Sequence, residues 1–157
     1  MSKSTPATLA LSKAGVAFEV ATYDYDPNAE RVGLQAAEAL GVEPGQVLKT
    51  LMAQVDGKPV CVIVPSDREV SMKKLAAAFG GKSAAMMKPA DAERLTGFKV
   101  GGVSPFGQRK KVPTAIEDEA FVLERVFING GQRGLQVLLA PADAQAAAGA
   151  IRAALVA

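Results

Sequence analysis

The residues best equipped for chemistry lie between Val100 and Pro113, in the run VGGVSPFGQRKKVP. Gly101, Gly102 and Gly107 permit backbone conformations closed to other residues and let a bound group approach the main chain. Pro105 and Pro113 fix φ and remove N–H donors, so the loop is shaped rather than slack. Arg109, Lys110 and Lys111 add three consecutive cations at its exit. Backbone amides in a rigid turn beside positive charge suit an oxyanion, a phosphate or a carboxylate. The same letters also describe a plain glycine hairpin entering a solvated basic strand, and the motif alone leaves both readings open.

Lys49 is the second candidate. In Val47 to Val55, period-two alternation sets Val47, Lys49, Leu51, Ala53 and Val55 on one face. The opposite face, Leu48, Thr50 and Met52, is also mainly apolar. A cation in such a strand costs desolvation unless an anion, hydrogen bonds or a lowered pKa compensates. Either the lysine serves a site, or it lies near an edge and snorkels to water.

Absences narrow the chemistry further. The 157 residues include no histidine and one cysteine, Cys61. That excludes Ser-His-Asp and Cys-His nucleophile systems, His-ligated zinc, an internal disulfide and any CxxC metal site. Cys61 sits in the apolar run VCVIV and reads as a buried, inert thiol. An enzyme built from this chain works with lysine, arginine, carboxylates, hydroxyls, backbone amides, water or the substrate's own groups. No metal and no cofactor is expected.

The elements that must position these groups fit one domain over residues 1–157, with 49% hydrophobic residues to supply its core. No segment approaches the ~18 to 20 apolar residues of a membrane span. The N-terminus lacks a signal-peptide pattern, so the expectation is a cytoplasmic protein without membrane contact. A net charge of +2 excludes coating long nucleic acid by charge but allows a local basic patch at a nucleic-acid end.

A helix is expected over Thr5 to Ala14, with Pro6 in its first turn and Gly15 as its stop. A half-buried strand over Val16 to Val20 leads into Thr22 to Pro27, TYDYDP. Val32 to Leu40 reads as a helix ended by Gly41. Strands over Val47 to Val55 and Val60 to Val64 are joined by the hairpin signal Asp56-Gly57. Ser71 caps a helix running through Phe79, and Pro89 to Leu95 forms another. Strands follow at Val112 to Ile116, Phe121 to Ile128 and Leu135 to Leu139, the last two joined by the turn Asn129-Gly130-Gly131. Alanine-rich Pro141 to Val156 reads as a closing helix. The fold class is α/β of the mixed α+β kind, with a mixed, curved sheet flanked by helices. There is no regular βαβ series and no P-loop spacing.

Three separated stretches share a further property. QVLKTL around Lys49, TGFKVGGVSPFGQRKKVPT from Thr96 to Thr114 and NGGQRGLQVLLAPAD from Asn129 to Asp143 resemble the YbaK/EbsC family. These are bacterial editing domains related to the insertion domain of prolyl-tRNA synthetase. The resemblance spans nearly the whole chain and implies a barrel-like mixed sheet flanked by helices. The activity it implies is trans-acting deacylation of mischarged tRNA, Cys-tRNA(Pro) foremost and Cys-tRNA(Cys) with it. The implied partners are the aminoacylated acceptor end of tRNA and prolyl-tRNA synthetase.

The resemblance places the family's central lysine on Lys49 and its site tyrosine on Tyr23. The glycine facing the scissile ester falls on Gly101, in a motif continuing through Gly102, Ser104 and Pro105. Thr50, Asn129, Gly130 and Gln136 complete the implied substrate-binding set. Asn129 stands where the family has serine, and Gln136 where it has aspartate, which opens the amino-acid specificity. The implied chemistry is substrate-assisted, the cysteinyl thiol attacking its own ester and leaving as a cyclic thiolactone. Removal of alanine or another small residue, a non-catalytic tRNA-end or nucleotide-binding module, and an unrelated anion-binding protein are the alternatives.

Overall fold

The computed structural model describes residues 4–28 and 32–157. Helix α1 (Pro6–Lys13) starts where Thr5 accepts the N–H of Thr8 and the Thr8 side chain answers by accepting the N–H of Thr5. Strand β1 (Glu19–Thr22) and helix α2 (Val32–Leu40) follow. Strands β2 (Val47–Val55) and β3 (Lys58–Pro65) form the expected hairpin, with φ of +50° at Asp56 and +81° at Gly57. The Asp56 carboxylate accepts the N–H groups of Lys82 and Ser83. These bonds, Ser83's first, hold its pKa below the usual carboxylate value and tether the next elements. Helix α3 (Met72–Ala78), capped by Ser71, precedes the short strand β4 (Ala84–Met86) and helix α4 (Pro89–Thr96). After the glycine loop come β5 (Thr114–Glu117), β6 (Val126–Gln132), β7 (Leu135–Leu139), α5 (Pro141–Ala148) and β8 (Ala150–Ala153).

The strands form one mixed sheet in the order β1-β7-β6-β2-β3-β5-β8, with β4 added to β2. One face carries Leu48, Ile63, Ile116, Ile128 and Val137. It is covered by Ala7 and Leu11 of α1, Ala144 and Ala148 of α5, and Phe98 and Phe106 flanking the glycines. On the other face, Val47 and Phe127 pack under Ala36 and Ala37 of α2. Ala53, Val62 and Val64 pack under Leu75 and Ala76 of α3. The two covering helices leave the middle of β2 uncovered between them.

Four expected elements are different. Strand β1 covers Glu19–Thr22 rather than Val16 to Val20. The turn expected at Asn129-Gly130-Gly131 lies inside β6, and the chain turns at Arg133-Gly134 instead. The closing helix stops at Ala148, because Gly149 turns left-handed at φ +63°. The chain then runs on as β8, parallel to β5; tertiary pairing overrides the helix propensity of alanine. The strand expected from Phe121 begins only at Val126. Its first part is a 3-10 turn over Asp118–Val122, started by the Glu117 side chain accepting the N–H of Glu119. Glu117 is only 1% exposed, and its other oxygen accepts the N–H groups of Leu155 at 2.7 Å and Val156 at 3.0 Å. Strand β4, three residues without a β-branched side chain, gave no signal.

Candidate functional site

Strand β2 explains where the site lies. The Val47 carbonyl accepts the N–H of Ser66, so odd-numbered main-chain groups point toward β3. Even-numbered ones point the other way. On that side β6 pairs only as far as Leu48, opposite Ile128. Strand β4 pairs from Ala53, and the Met52 carbonyl already accepts the N–H of Met87 at 3.1 Å. Thr50 is left facing a gap one hydrogen-bonding residue wide.

A cavity of about 420 Å³ opens at this gap. Of the sequence candidates, Lys49, Thr50, Gly101, Asn129 and Gln136 line it. Apolar walls come from Leu51, Met52, Met87, Ala92, Val100 and Val103, with Ser66 and Glu69 as further polar lining. Lys49 is half-buried, and no carboxylate among the described residues lies within ion-pair distance of it. The strand register continues from Gln136 to its partner Asn129 and on toward Lys49, which aligns these three across β7, β6 and β2.

Among the described residues, three side-chain atoms in this region are buried without a hydrogen-bond partner: Tyr23 Oη, Thr50 Oγ1 and Gln136 Oε1. Burial pushes the Tyr23 phenol above its ordinary value of 10.0, the Gln136 side chain pulls it down, and Tyr25 pushes it up again. The Gln136 approach falls short of hydrogen-bond geometry, so Tyr23 Oη stays without a partner. Native proteins rarely leave buried polar atoms unsatisfied, at about 1–3 kcal/mol each. Two of the three, on Thr50 and Gln136, line the cavity and mark a place suited to a polar ligand, while Tyr23 packs near Gln136 outside the lining.

Gly101 has φ +90°. A Cβ there would lie 2.7 Å from Tyr25 Oη and 3.3 Å from Arg133 Nε. Alanine is therefore strained at this position whatever the cavity holds. Arg133 donates from Nε to the Val100 carbonyl at 2.9 Å, and its guanidinium lies 5.4 Å from the Tyr25 ring centroid. Tyr25 and Arg133 thus brace the loop from behind, a role the sequence did not reveal. Asn129 Nδ2 donates to the Gly101 carbonyl at 3.2 Å, and its Oδ1 accepts the N–H of Gly131 at 2.7 Å. Asn129 positions Gly101 by tying it to the bulge of β6.

Tyr23, Gly102, Ser104, Pro105 and Gly130 lie outside the cavity lining. A Cβ at Gly102 would meet the Arg133 backbone nitrogen at 2.9 Å, and one at Gly130 would meet Leu135 Cδ2 at 2.1 Å. Ser104 is fully buried, and its hydroxyl accepts the N–H of Phe106. Pro105 and Lys111 line a separate cavity of about 190 Å³. Arg109, Lys110 and Lys111 do not line the main cavity, so positive charge reaches it through Lys49 instead. Cys61 is completely buried, and burial pushes its thiol up to about 12. Among the described residues, no group of three His, Cys, Asp or Glu side chains could hold a metal ion, and no helix is long and apolar enough to cross a membrane.

The chain is similar to several known proteins. Residues 26–147 match the model of the aminoacyl-tRNA editing domain. EbsC of Enterococcus faecalis, a proposed Cys-tRNA(Pro)/Cys-tRNA(Cys) deacylase, is 41% identical over 107 residues, 67% of this chain and 65% of that protein. The multifunctional Ser/Thr-tRNA deacylase ProXp-y of Escherichia coli K12 is 29% identical, over 85% of this chain and 80% of its own. A proline–tRNA ligase of Maridesulfovibrio salexigens is 34% identical over 64% of this chain, which spans only 17% of the ligase. Among solved structures, a proposed trans-editing enzyme for prolyl-tRNA synthetase superposes with a TM-score of 0.85, at 26% identity over 99% of both chains. With the family model covering most of its length and the same mixed sheet beneath it, the chain belongs to the aminoacyl-tRNA editing domain family, of the YbaK/EbsC type.

Proposed function

We propose that this protein is a trans-acting aminoacyl-tRNA deacylase whose preferred substrate is Cys-tRNA(Pro). The observation that carries the proposal is the cavity itself: its lining holds a lysine without an ion-pair partner among the described residues, a glycine main chain and two orphaned polar atoms, Thr50 Oγ1 and Gln136 Oε1, with no histidine or thiol. An aminoacyl ester is already activated, so the site needs to hold the acceptor end and stabilise developing charge rather than attack. Lys49 neutralises negative charge on the ribose, phosphate or ester oxygens. Gly101 brings its main chain against the ester, held there by Asn129. Tyr23, Thr50 and Gln136 supply hydrogen bonds to the aminoacyl group.

The cysteinyl thiol then attacks its own carbonyl carbon. The C–S bond forms, the ester C–O bond breaks, and the thiol proton ends on the departing ribose oxygen. The products are a cysteine thiolactone and uncharged tRNA. Cys61, held as a neutral thiol, takes no part. The deacylase name of EbsC supports this reading, and the likeness to the ligase supports prolyl-tRNA synthetase as a partner. A second reading, water-dependent removal of alanine, is favoured by the apolar walls at Met52, Ala92 and Val103.

A panel of tRNA(Pro) charged with cysteine, S-methylcysteine, serine, alanine or proline tests both. Rapid loss of cysteine with near-complete resistance of S-methylcysteine is the expected result. Fast cleavage of Ala-tRNA(Pro) would overturn thiol assistance, and no cleavage of any member would remove the deacylase reading.

A further inference from the structure

We propose that the aminoacyl group itself fills the one-residue gap in the β2 edge, pairing with the main chain of Thr50 as a residue of the missing strand would. The inference rests on the deacylase reading and specifies how that substrate is held. Leu48 is paired by β6, and the Met52 carbonyl is taken by Met87, so among the described residues Thr50, registered with Ile63 of β3 on one side, is the even-numbered β2 position with no strand partner on the other. In an antiparallel hydrogen-bonded pair, two residues facing each other exchange both N–H···O bonds. An aminoacyl ester carries a donor, the α-ammonium, and an acceptor, the carbonyl, attached to one carbon. It has the complement of one strand residue. The Thr50 N–H donates to the ester carbonyl, and the Thr50 carbonyl accepts from the α-ammonium.

This pairing serves the reaction as well as binding. The N–H that holds the carbonyl also faces the negative charge that develops on its oxygen when the carbon is attacked. The donor is fixed by the β2–β3 ladder, where Leu51 pairs with Val62 and Lys49 with Val64 on either side.

Directly opposed residues of an antiparallel pair project their side chains on the same face of the sheet. An L-aminoacyl side chain therefore lies beside that of Thr50, whose Oγ1 is buried and has no partner. That oxygen meets a thiol or hydroxyl carried on the substrate's Cβ. Met52 and Ala92, packed together with Val103 against them, close the space beyond. The substrate class is an L-aminoacyl ester with a free α-amine and a short, hydrogen-bonding side chain. A D-aminoacyl group would send its side chain to the opposite face, toward Lys49.

The test uses the full chain and an uncleavable probe, 3′-(L-seryl)amino-3′-deoxyadenosine, in which an amide replaces the ester. Amide hydrogen exchange is read residue by residue. In the free protein the Thr50 amide is expected to exchange quickly, unlike the laddered amide of Leu51. The probe is expected to slow it by at least ~10-fold, and the D-seryl probe is not. A Thr50 amide protected before the probe is added, or unchanged by it, overturns the pairing. A second measurement replaces Thr50 by its α-hydroxy acid, which turns the N–H into an ester oxygen and keeps the side chain. The expected outcome is a kcat lower by about 100-fold, the scale of one lost oxyanion donor, with melting close to wild type. An unchanged kcat overturns the proposal. Cleavage of the charged tRNA panel by the unmodified protein tests the deacylase reading separately, so the pairing can fail while that reading stands.

Discussion

Lys49 brings its charge to the cavity with no carboxylate within ion-pair distance among the described residues. Folding does not need that charge, since the rest of β2 is held by its ladder and by apolar packing. Lys49→Ala is therefore expected to leave the melting temperature nearly unchanged and lower deacylation by at least ~100-fold. Turnover and melting measured on the same preparation check both halves. Lys49→Arg should rescue little, because a planar fork does not occupy the place of a compact ammonium. At this scale the sequence was informative where a residue broke a pattern. Lys49 stands out in an apolar strand, whereas Asn129, expected in a turn, and Gln136 were reached only through the family resemblance. Glycine was less legible. Gly130 is required by a methyl group of Leu135 and Gly102 by a neighbouring backbone, yet both read the same as a glycine that admits a ligand. Tyr25 and Arg133 were silent because their contacts join segments far apart in the chain.

Elements are locked to one another by a few buried polar devices, of which Glu117 is the clearest. Its carboxylate accepts three backbone N–H groups and fastens residues 155–156 to the end of β5. Glu117→Ala strands those donors in the interior and is expected to destabilise the fold by about 3 kcal/mol or more. Chemical denaturation measures the loss, while kcat of the molecules that remain folded should stay near wild type. The sequence signalled elements with strong local chemistry: the Asp56-Gly57 hairpin, the Ser71 cap and the proline-led helices. It failed where long-range pairing decides. Strand β8 hides inside an alanine-rich run because its partner β5 lies more than thirty residues earlier. The one-residue gap in β2 was equally hidden, since it depends on where β6 and β4 stop rather than on β2 itself.

Taken as a whole, the molecule is nearly neutral, with a net charge of +2, and its loop cations lie away from the main cavity. Few phosphates are then neutralised when the acceptor end binds. Between about 50 and 200 mM salt, kcat/KM on charged tRNA is expected to fall by no more than about 20-fold, the consequence of two or three phosphate contacts. A much steeper fall, measured over the same range, would point to a broad basic face. The topology has a different consequence, for the chain before it is folded. The β2–β3 hairpin is local and forms early, whereas Val47 must wait for Phe127 before its other edge is covered. Until then β2 is a nine-residue, largely apolar strand with one side open, the kind of edge on which chains stick together. Lys49 is the single charge along it. The residue that meets the substrate in the finished protein also guards the nascent chain against aggregation, so its removal should lower soluble yield even where stability is untouched.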